Sequence, residues 1–215
     1  MEKESKARKG FVNQKDFEQL RDAMPEHLRP LVTFLYETGC RYGAATEVMW
    51  PWVNLTERII EIPAGVTKND DPLTLPLSNN LVALLKKLFR DEKPVFDSTN
   101  FRKEWESACV KIGKGSVMVR RTTKNKKWYQ YTGLIPHDLR RSAVRNLINA
   151  GVHQSVAMKI TGHRTVSTFL RYGIVEKAQL HAAMDKVSKQ ASENGQKADN
   201  DAKTIQNTLL KEVQL

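Results

Sequence analysis

Pro136-His137-Asp138-Leu139-Arg140-Arg141-Ser142-Ala143-Val144-Arg145, continued by Thr161-Gly162-His163 and then by Tyr172, is the stretch that decides the reading of this 215-residue chain. Its spacing predicts a helix over 137–150, with Gly151 and Gly162 punctuating further helices over 153–161 and 165–172, and another over 175–188. Nearer the start, Asn13 with Asp16 three positions on reads as a capping pair that opens a helix running to about Met24. Leu28, Leu31, Val32, Leu35 and Tyr36 follow helical spacing and stop at Gly39, which fits the left-handed position after a helix, so this is a core helix. A short helical piece is expected over 44–49.

Residues 58–62 and 73–77 read as strands joined by the polar Thr67-Lys68-Asn69-Asp70-Asp71, a small hairpin. Ser78 can cap a helix bearing Leu81, Leu84, Leu85, Leu88 and Phe89, and an amphipathic helix covers 101–112. Residues 116–133 are rich in β-branched, basic and aromatic side chains around Lys124-Asn125-Lys126, which favours a second hairpin with a basic tip. There is no internal repeat. Residues 1–12 read as a basic linker, 188–203 as a polar linker, and Ile205, Leu209, Leu210 and Val213 as the apolar face of a terminal helix.

The chain carries 35 Lys plus Arg against 24 Asp plus Glu, a formal charge of +11. Between Lys111 and Arg145 ten basic residues face the single acid Asp138, so most of the excess is concentrated there. With Trp128, Tyr129 and Tyr131 interleaved, this points to nucleic acid, and Arg120, Arg121, Lys124, Lys126, Lys127 and Arg141 are the candidate DNA contacts. Phosphate contact would dominate, with steep salt dependence.

Other classes fall away. No apolar stretch has the length of a membrane span, and the start MEKESKARKG lacks the apolar region of a signal peptide. Cys40 and Cys109 form no Cys-x-x-Cys pair, which argues against a disulfide framework or a cysteine-based zinc site. Metal-dependent nuclease chemistry needs clustered carboxylates near the basic region, and a P-loop ATPase needs a Gly-x4-Gly-Lys-Ser/Thr run; neither pattern is in the sequence.

Four stretches carry a resemblance: Thr38-Gly39-Cys40-Arg41-Tyr42-Gly43, Thr67-Lys68-Asn69, Pro136-His137-Asp138-Leu139-Arg140, and Thr161-Gly162-His163 with Tyr172. In this order and spacing they resemble the catalytic domain of the tyrosine recombinases, the phage integrase family. The resemblance runs over about 11–186 and includes Trp50-Pro51-Trp52-Val53-Asn54-Leu55, similar to the family's tryptophan-led approach to its first strand. It implies a mainly α (α+β) fold of the DNA breaking-rejoining type, helical with a small antiparallel β-sheet.

The resemblance also implies roles, and the chemistry explains the residue types. Phosphodiester cleavage builds charge on two non-bridging oxygens, which fixed cations must meet. Arg41 and Arg140 each present a planar fork to phosphate that lysine cannot imitate, and losing one such contact costs about 10²–10³-fold in rate by analogy with oxyanion donors. Tyr172 would be the nucleophile, forming a 3′-phosphotyrosyl link that conserves the bond energy, so neither metal, ATP nor other cofactor is expected. His137 is the candidate base, Lys68 would protonate the leaving 5′-oxygen, and His163 would hydrogen-bond the scissile phosphate. His27, His153 and His181 match nothing in the family pattern and read as surface or packing residues.

Two departures stand out. The family usually has an acid three positions after its first arginine, where this chain has Ala44, implying weakened cleavage or a substitute such as Glu47. Relatives also carry an N-terminal DNA-closing domain, for which there is no room before residue 13, so the expected organisation is a linker over 1–12, a catalytic domain over 13–187, and a linker with a terminal helix over 188–215 docking on a neighbouring protomer. The expected partners are double-stranded DNA and further copies of the chain, as a tetramer on paired sites, with no membrane partner. The expected location is the cytoplasm of a bacterial host, at the nucleoid. The competing readings are a DNA-binding module with impaired catalysis and a type IB topoisomerase-like enzyme.

Overall fold

Asn13 accepts the Asp16 amide at 2.8 Å and so starts α1 (Gln14–Ala23), whose Phe17 and Leu20 turn inward. The computed structural model describes residues 10–66, 71–88, 94–121, 127–172, 180–181 and 184–189, and divides into a unit over Met1–Gly173 and another over Ile174–Leu215. In the first unit, α2 (Arg29–Thr38) is buried nearly all round, through Leu31, Val32, Phe34, Leu35 and Tyr36, as expected of a helix at the centre of a core. Phe17 stacks on Tyr36 with ring centroids 3.9 Å apart. Gly39 ends α2 at φ 67°, and a Cβ there would lie 2.9 Å from that of Ala143, so both conformation and close approach demand glycine.

The helical piece expected over 44–49 lies earlier, as α3 (Tyr42–Thr46), because the chain turns into helix directly after the extended Arg41. Next come β1 (Val53–Asn54), β2 (Ile59–Ile62) and β3 (Leu73–Pro76), an antiparallel sheet in the order β1-β2-β3 with Ile60 opposite Leu75. Ile60, Ile62 and Leu75 face the core. The expected hairpin is therefore the larger part of a three-stranded sheet; β1 is only two residues long, too short for alternation to announce it. Lys68 lies outside the described residues.

Ser78 caps α4 (Asn79–Leu85) by accepting the Leu81 amide at 3.1 Å, and α5 (Phe101–Lys111) buries Phe101, Trp105, Ala108 and Cys109. The second hairpin is β4 (Gly115–Arg121) and β5 (Lys127–Gly133), fixed at its root by Tyr131, whose hydroxyl donates to the Leu134 carbonyl at 2.8 Å. Then follow α6 (Pro136–Asn149), α7 (Gln154–Thr161) and α8 (Val166–Leu170). The helix expected to run to 172 stops at Leu170, and Arg171-Tyr172 form a turn in which the Tyr172 amide reaches back to the Phe169 carbonyl at 3.0 Å. Val144, Ala157 and Phe169 make a small second core under that turn.

Residues 10–12 cross α6. Gly10 lies against the Asp138 carboxylate, Phe11 has the Arg145 guanidinium 3.9 Å from its ring centroid, and the buried Val12 donates its amide to Ser142 Oγ at 2.7 Å. In the second unit the described residues 180–181 and 184–189 are helical; the rest of the helix expected over 175–188, and the linker and terminal helix expected beyond residue 189, lie outside the described residues. Among the described residues no helix is long and apolar enough to cross a membrane.

Candidate active site

The N-terminal half of α6 positions the site. Pro136 occupies its first turn, where the missing N–H costs nothing, and the buried Asp138 turns back to accept the Ile135 amide at 2.9 Å. With its start fixed, α6 directs His137 and Arg140, three residues apart, to one face. Arg140 is 2% exposed and donates from one terminal nitrogen to the Gly39 carbonyl at 2.5 Å, where α2 ends. Its other terminal nitrogen lies 3.0 Å from His163 Nε2. Burial, then the neighbouring Arg41, push its pKa down to about 10, so it is still a cation at neutral pH.

His163 follows the left-handed Gly162 that ends α7 and is 7% exposed. The Thr161 hydroxyl has one proton, and it donates to the Ala157 carbonyl at 2.7 Å. The same hydroxyl oxygen lies 2.7 Å from His163 Nδ1, and one terminal nitrogen of Arg140 faces both ring nitrogens, at 3.2 Å from Nδ1 and 3.0 Å from Nε2. Burial first, then Arg140, Arg41 and His137, push the His163 pKa down to about 3, so the ring is neutral.

Tyr172, half-buried, meets His137 through its hydroxyl, 2.8 Å from Nε2. Its ring centroid is 5.2 Å from that of His163, and the Arg141 guanidinium lies 5.7 Å from it. His137 is open to solvent at one edge, but desolvation of the other, followed by Arg140, Arg141 and Arg41 and opposed by Asp138, holds its pKa below the ordinary imidazole value. The result is a neutral imidazole in hydrogen-bond reach of a phenol, beside two arginines. Arg41, just after the end of α2, points one terminal nitrogen at the Gly162 carbonyl 3.4 Å away.

The structure thus brings together five of the six residues singled out from the sequence, Arg41, His137, Arg140, His163 and Tyr172; the sixth, Lys68, is not described. Asp71, three positions after Lys68, forms an ion pair with Arg164, which ties the start of β3 beside the His163 loop. Ala44 is buried, and Glu47 is exposed at the end of α3 without an ion pair to Arg41, so it does not take the place of the expected acid.

Of the candidate DNA contacts, Arg120 and Lys127 are exposed on the β4–β5 hairpin, with Arg120 Nε donating to Gln130 Oε1 at 3.1 Å. Arg121 ends β4, while Lys124 and Lys126 lie outside the described residues. Arg141 is held inward by Asp138 at 3.4 Å and belongs to the surroundings of Tyr172 rather than to the open basic surface. Sequence reasoning missed the orienting contacts of Gly39, Thr161 and Asp138; only the last had a local signal, a carboxylate placed to cap the helix. His27 and His153 are exposed, and His153 caps α7. No three His, Cys, Asp or Glu side chains cluster as a metal site among the described residues.

A sequence profile of the phage integrase family matches residues 11–179, most of the chain, and with the fold and site above the chain belongs to this family, the tyrosine recombinases. A Haemophilus influenzae protein described provisionally as an integrase/recombinase is 31% identical over 136 residues, which make up 63% of this chain and 40% of that protein. The fold is similar to that of XerA recombinase, with a TM-score of 0.62 at 19% identity over 86% of this chain and 65% of that one. It is also similar to the catalytic domain of bacteriophage HP1 integrase, with a TM-score of 0.58 at 18% identity over 82% of this chain and 94% of that one. The Tn1549 transposon integrase, in complex with a circular intermediate DNA, matches at a TM-score of 0.61 and 14% identity over 86% of this chain and 67% of that one.

Proposed function

We propose that this chain is the catalytic part of a site-specific DNA recombinase of a mobile element, cleaving and rejoining DNA through a 3′-phosphotyrosyl intermediate. The observation that carries the reading is the 2.8 Å contact between the Tyr172 hydroxyl and His137 Nε2 beside two arginines. His137, held neutral, takes the phenolic proton as Tyr172 Oη attacks phosphorus, and the bond to the 5′-oxygen breaks. Lys68, on the connection between β2 and β3, supplies the proton to that oxygen. Arg41 and Arg140 receive the charge that builds on the non-bridging oxygens.

His163, neutral and beside Arg140, hydrogen-bonds the scissile phosphate. The hairpin residues Arg120, Arg121, Lys124, Lys126 and Lys127 follow the DNA backbone, and copies of the chain assemble on paired sites, docking through their C-terminal segments. Such chemistry takes place where the host DNA is, in the cytoplasm.

The test is a nicked duplex, drawn from DNA flanking the gene, that loses a short 5′ fragment on cleavage. A covalent adduct on a denaturing gel that forms with a chelator present and disappears in Tyr172→Phe is the expected result. Binding with no adduct, even after a DNA-binding domain is fused to the N-terminus, would favour the second reading, a DNA-binding module with impaired catalysis, for which Ala44 at the usual acidic position is the supporting observation.

A further inference from the structure

Asp138 lies three residues before Arg141 on α6 and His137 four, so both stand one helical turn from it. Asp138 is fully buried and divides its two oxygens: Oδ2 accepts the Ile135 amide at 2.9 Å, and Oδ1 accepts from a terminal nitrogen of Arg141 at 3.4 Å. A carboxylate taken out of water needs a cation beside it, and the Arg141 side chain, 17% exposed, is drawn in to meet it. Its guanidinium then lies 5.7 Å from the centroid of the Tyr172 ring, within the range at which an aromatic face attracts a cation. The same phenol is met by the His163 ring, 5.2 Å away between centroids, and by His137 at its hydroxyl.

Arg141 therefore acts on both members of the pair that exchanges the phenolic proton. His137 is faced by Arg140, Arg141 and Asp138 from its own helix, by Arg41 just before α3, by His163 after α7 and by Tyr172 after α8. At the imidazole the effect of Arg141 exceeds the opposing effect of Asp138, so the carboxylate tethers the guanidinium without cancelling its charge. Arg120 and Lys127 are exposed on the hairpin, where a DNA backbone can reach them, whereas Arg141 is turned away from solvent toward the nucleophile.

We propose that Arg141 is a positioning residue for the cleavage step: tethered by Asp138, it holds the Tyr172 ring in place and favours the negative charge that gathers on the phenol during attack. This rests on the reading of Tyr172 as the nucleophile. In that step the phenolic proton passes to His137, the Tyr172 oxygen bonds to phosphorus, and the bond from phosphorus to the 5′-oxygen breaks. The attraction of a cation for the ring grows as the proton leaves and the ring gains electron density. The contact is thus stronger in the transition state than before it, which is the condition for accelerating a step.

The experiment compares the unaltered chain with Arg141→Met and Arg141→Lys in three measurements: single-turnover adduct formation at saturating nicked duplex, the salt dependence of DNA binding, and the titration of His137 followed by NMR without DNA. Arg141→Met keeps the apolar stem and removes the charge. Its rate is expected about tenfold below that of the unaltered chain, the size of one cation–ring contact, with the salt slope unchanged. Its His137 titration moves up toward the ordinary imidazole value, because one of the cations opposing protonation is gone. Arg141→Lys, which keeps the charge without the planar group, leaves that titration in place and recovers part of the rate. A salt slope lowered by about one in Arg141→Met would make Arg141 a phosphate contact and overturn the proposal. A rate loss equal in the two variants, with the His137 titration unmoved, would leave Arg141 a role in folding alone and overturn it too. Adduct formation by Arg141→Met within about twofold of the unaltered chain overturns the proposal and leaves the cleavage reading standing. An unaltered chain that forms no adduct removes the cleavage reading and the proposal with it.

Discussion

Replacing Arg140 by lysine keeps the charge and removes the fork. The guanidinium spans two partners at once, the Gly39 carbonyl at 2.5 Å and His163 Nε2 at 3.0 Å, and an ammonium at the end of a lysine stem can serve only one of them. A buried acceptor left without a donor costs about 1–3 kcal/mol. Taking about 2 kcal/mol, the melting temperature should fall by about 4–8 °C for a chain of this size. The loss in rate is larger, because the same fork is held ready for the charge of the transition state, and one such donor is worth about 10²–10³-fold. Single-turnover adduct formation on the nicked duplex, run well below the lowered melting temperature, separates the two effects. The salt dependence of DNA binding should keep its slope, since the number of cations is unchanged. Adduct formation by Arg140→Lys within tenfold of the unaltered protein would refute the reasoning, because charge alone would then suffice.

Adduct formation should be flat through neutral pH and decline only as the pH falls below the ordinary imidazole value of 6.5, since His137 must be neutral to accept the proton and its pKa is lowered; a rate still rising above pH 7 would count against His137 as the base. His163 is neutral when folded down to about pH 3 but gains a proton at about 6.5 when unfolded, so the unfolded chain binds more protons in that window. Its contribution to stability is therefore complete above about 6.5 and is lost as the pH falls toward 3, a decline that urea titrations should find shallower in His163→Gln. Ala44→Glu should raise the adduct rate and lower the melting temperature, because it places a carboxylate one helical turn from Arg41 at a buried position; an unchanged rate would show that the acid is dispensable here. Ser142→Ala leaves the buried Val12 amide without its acceptor and should cost about 1–3 kcal/mol, read as a shift in the urea midpoint.

The local grammar of the chain was legible without the structure. Asn13, Ser78 and Gly39 announced helix ends because capping is settled within four residues, and the two hairpins were visible from their β-branched runs and polar connections. The residues of the site were legible for a different reason: phosphate chemistry restricts which side chains can serve, and their order along the chain matched a family. The tertiary structure decided what each of them touches. Arg140 meets the carbonyl of Gly39, a residue 101 positions earlier, and no periodicity encodes that pairing. His163 is likewise set between Thr161 and Arg140, one partner two residues away and the other 23. The helix before Tyr172 stops two residues early because the turn is set by packing over Val144, Ala157 and Phe169, and that turn brings the hydroxyl to His137. Residue type and local order are written in the sequence, whereas the direction of a side chain is fixed only by the distant backbone and side chains that accept its hydrogen bonds and exclude water around it.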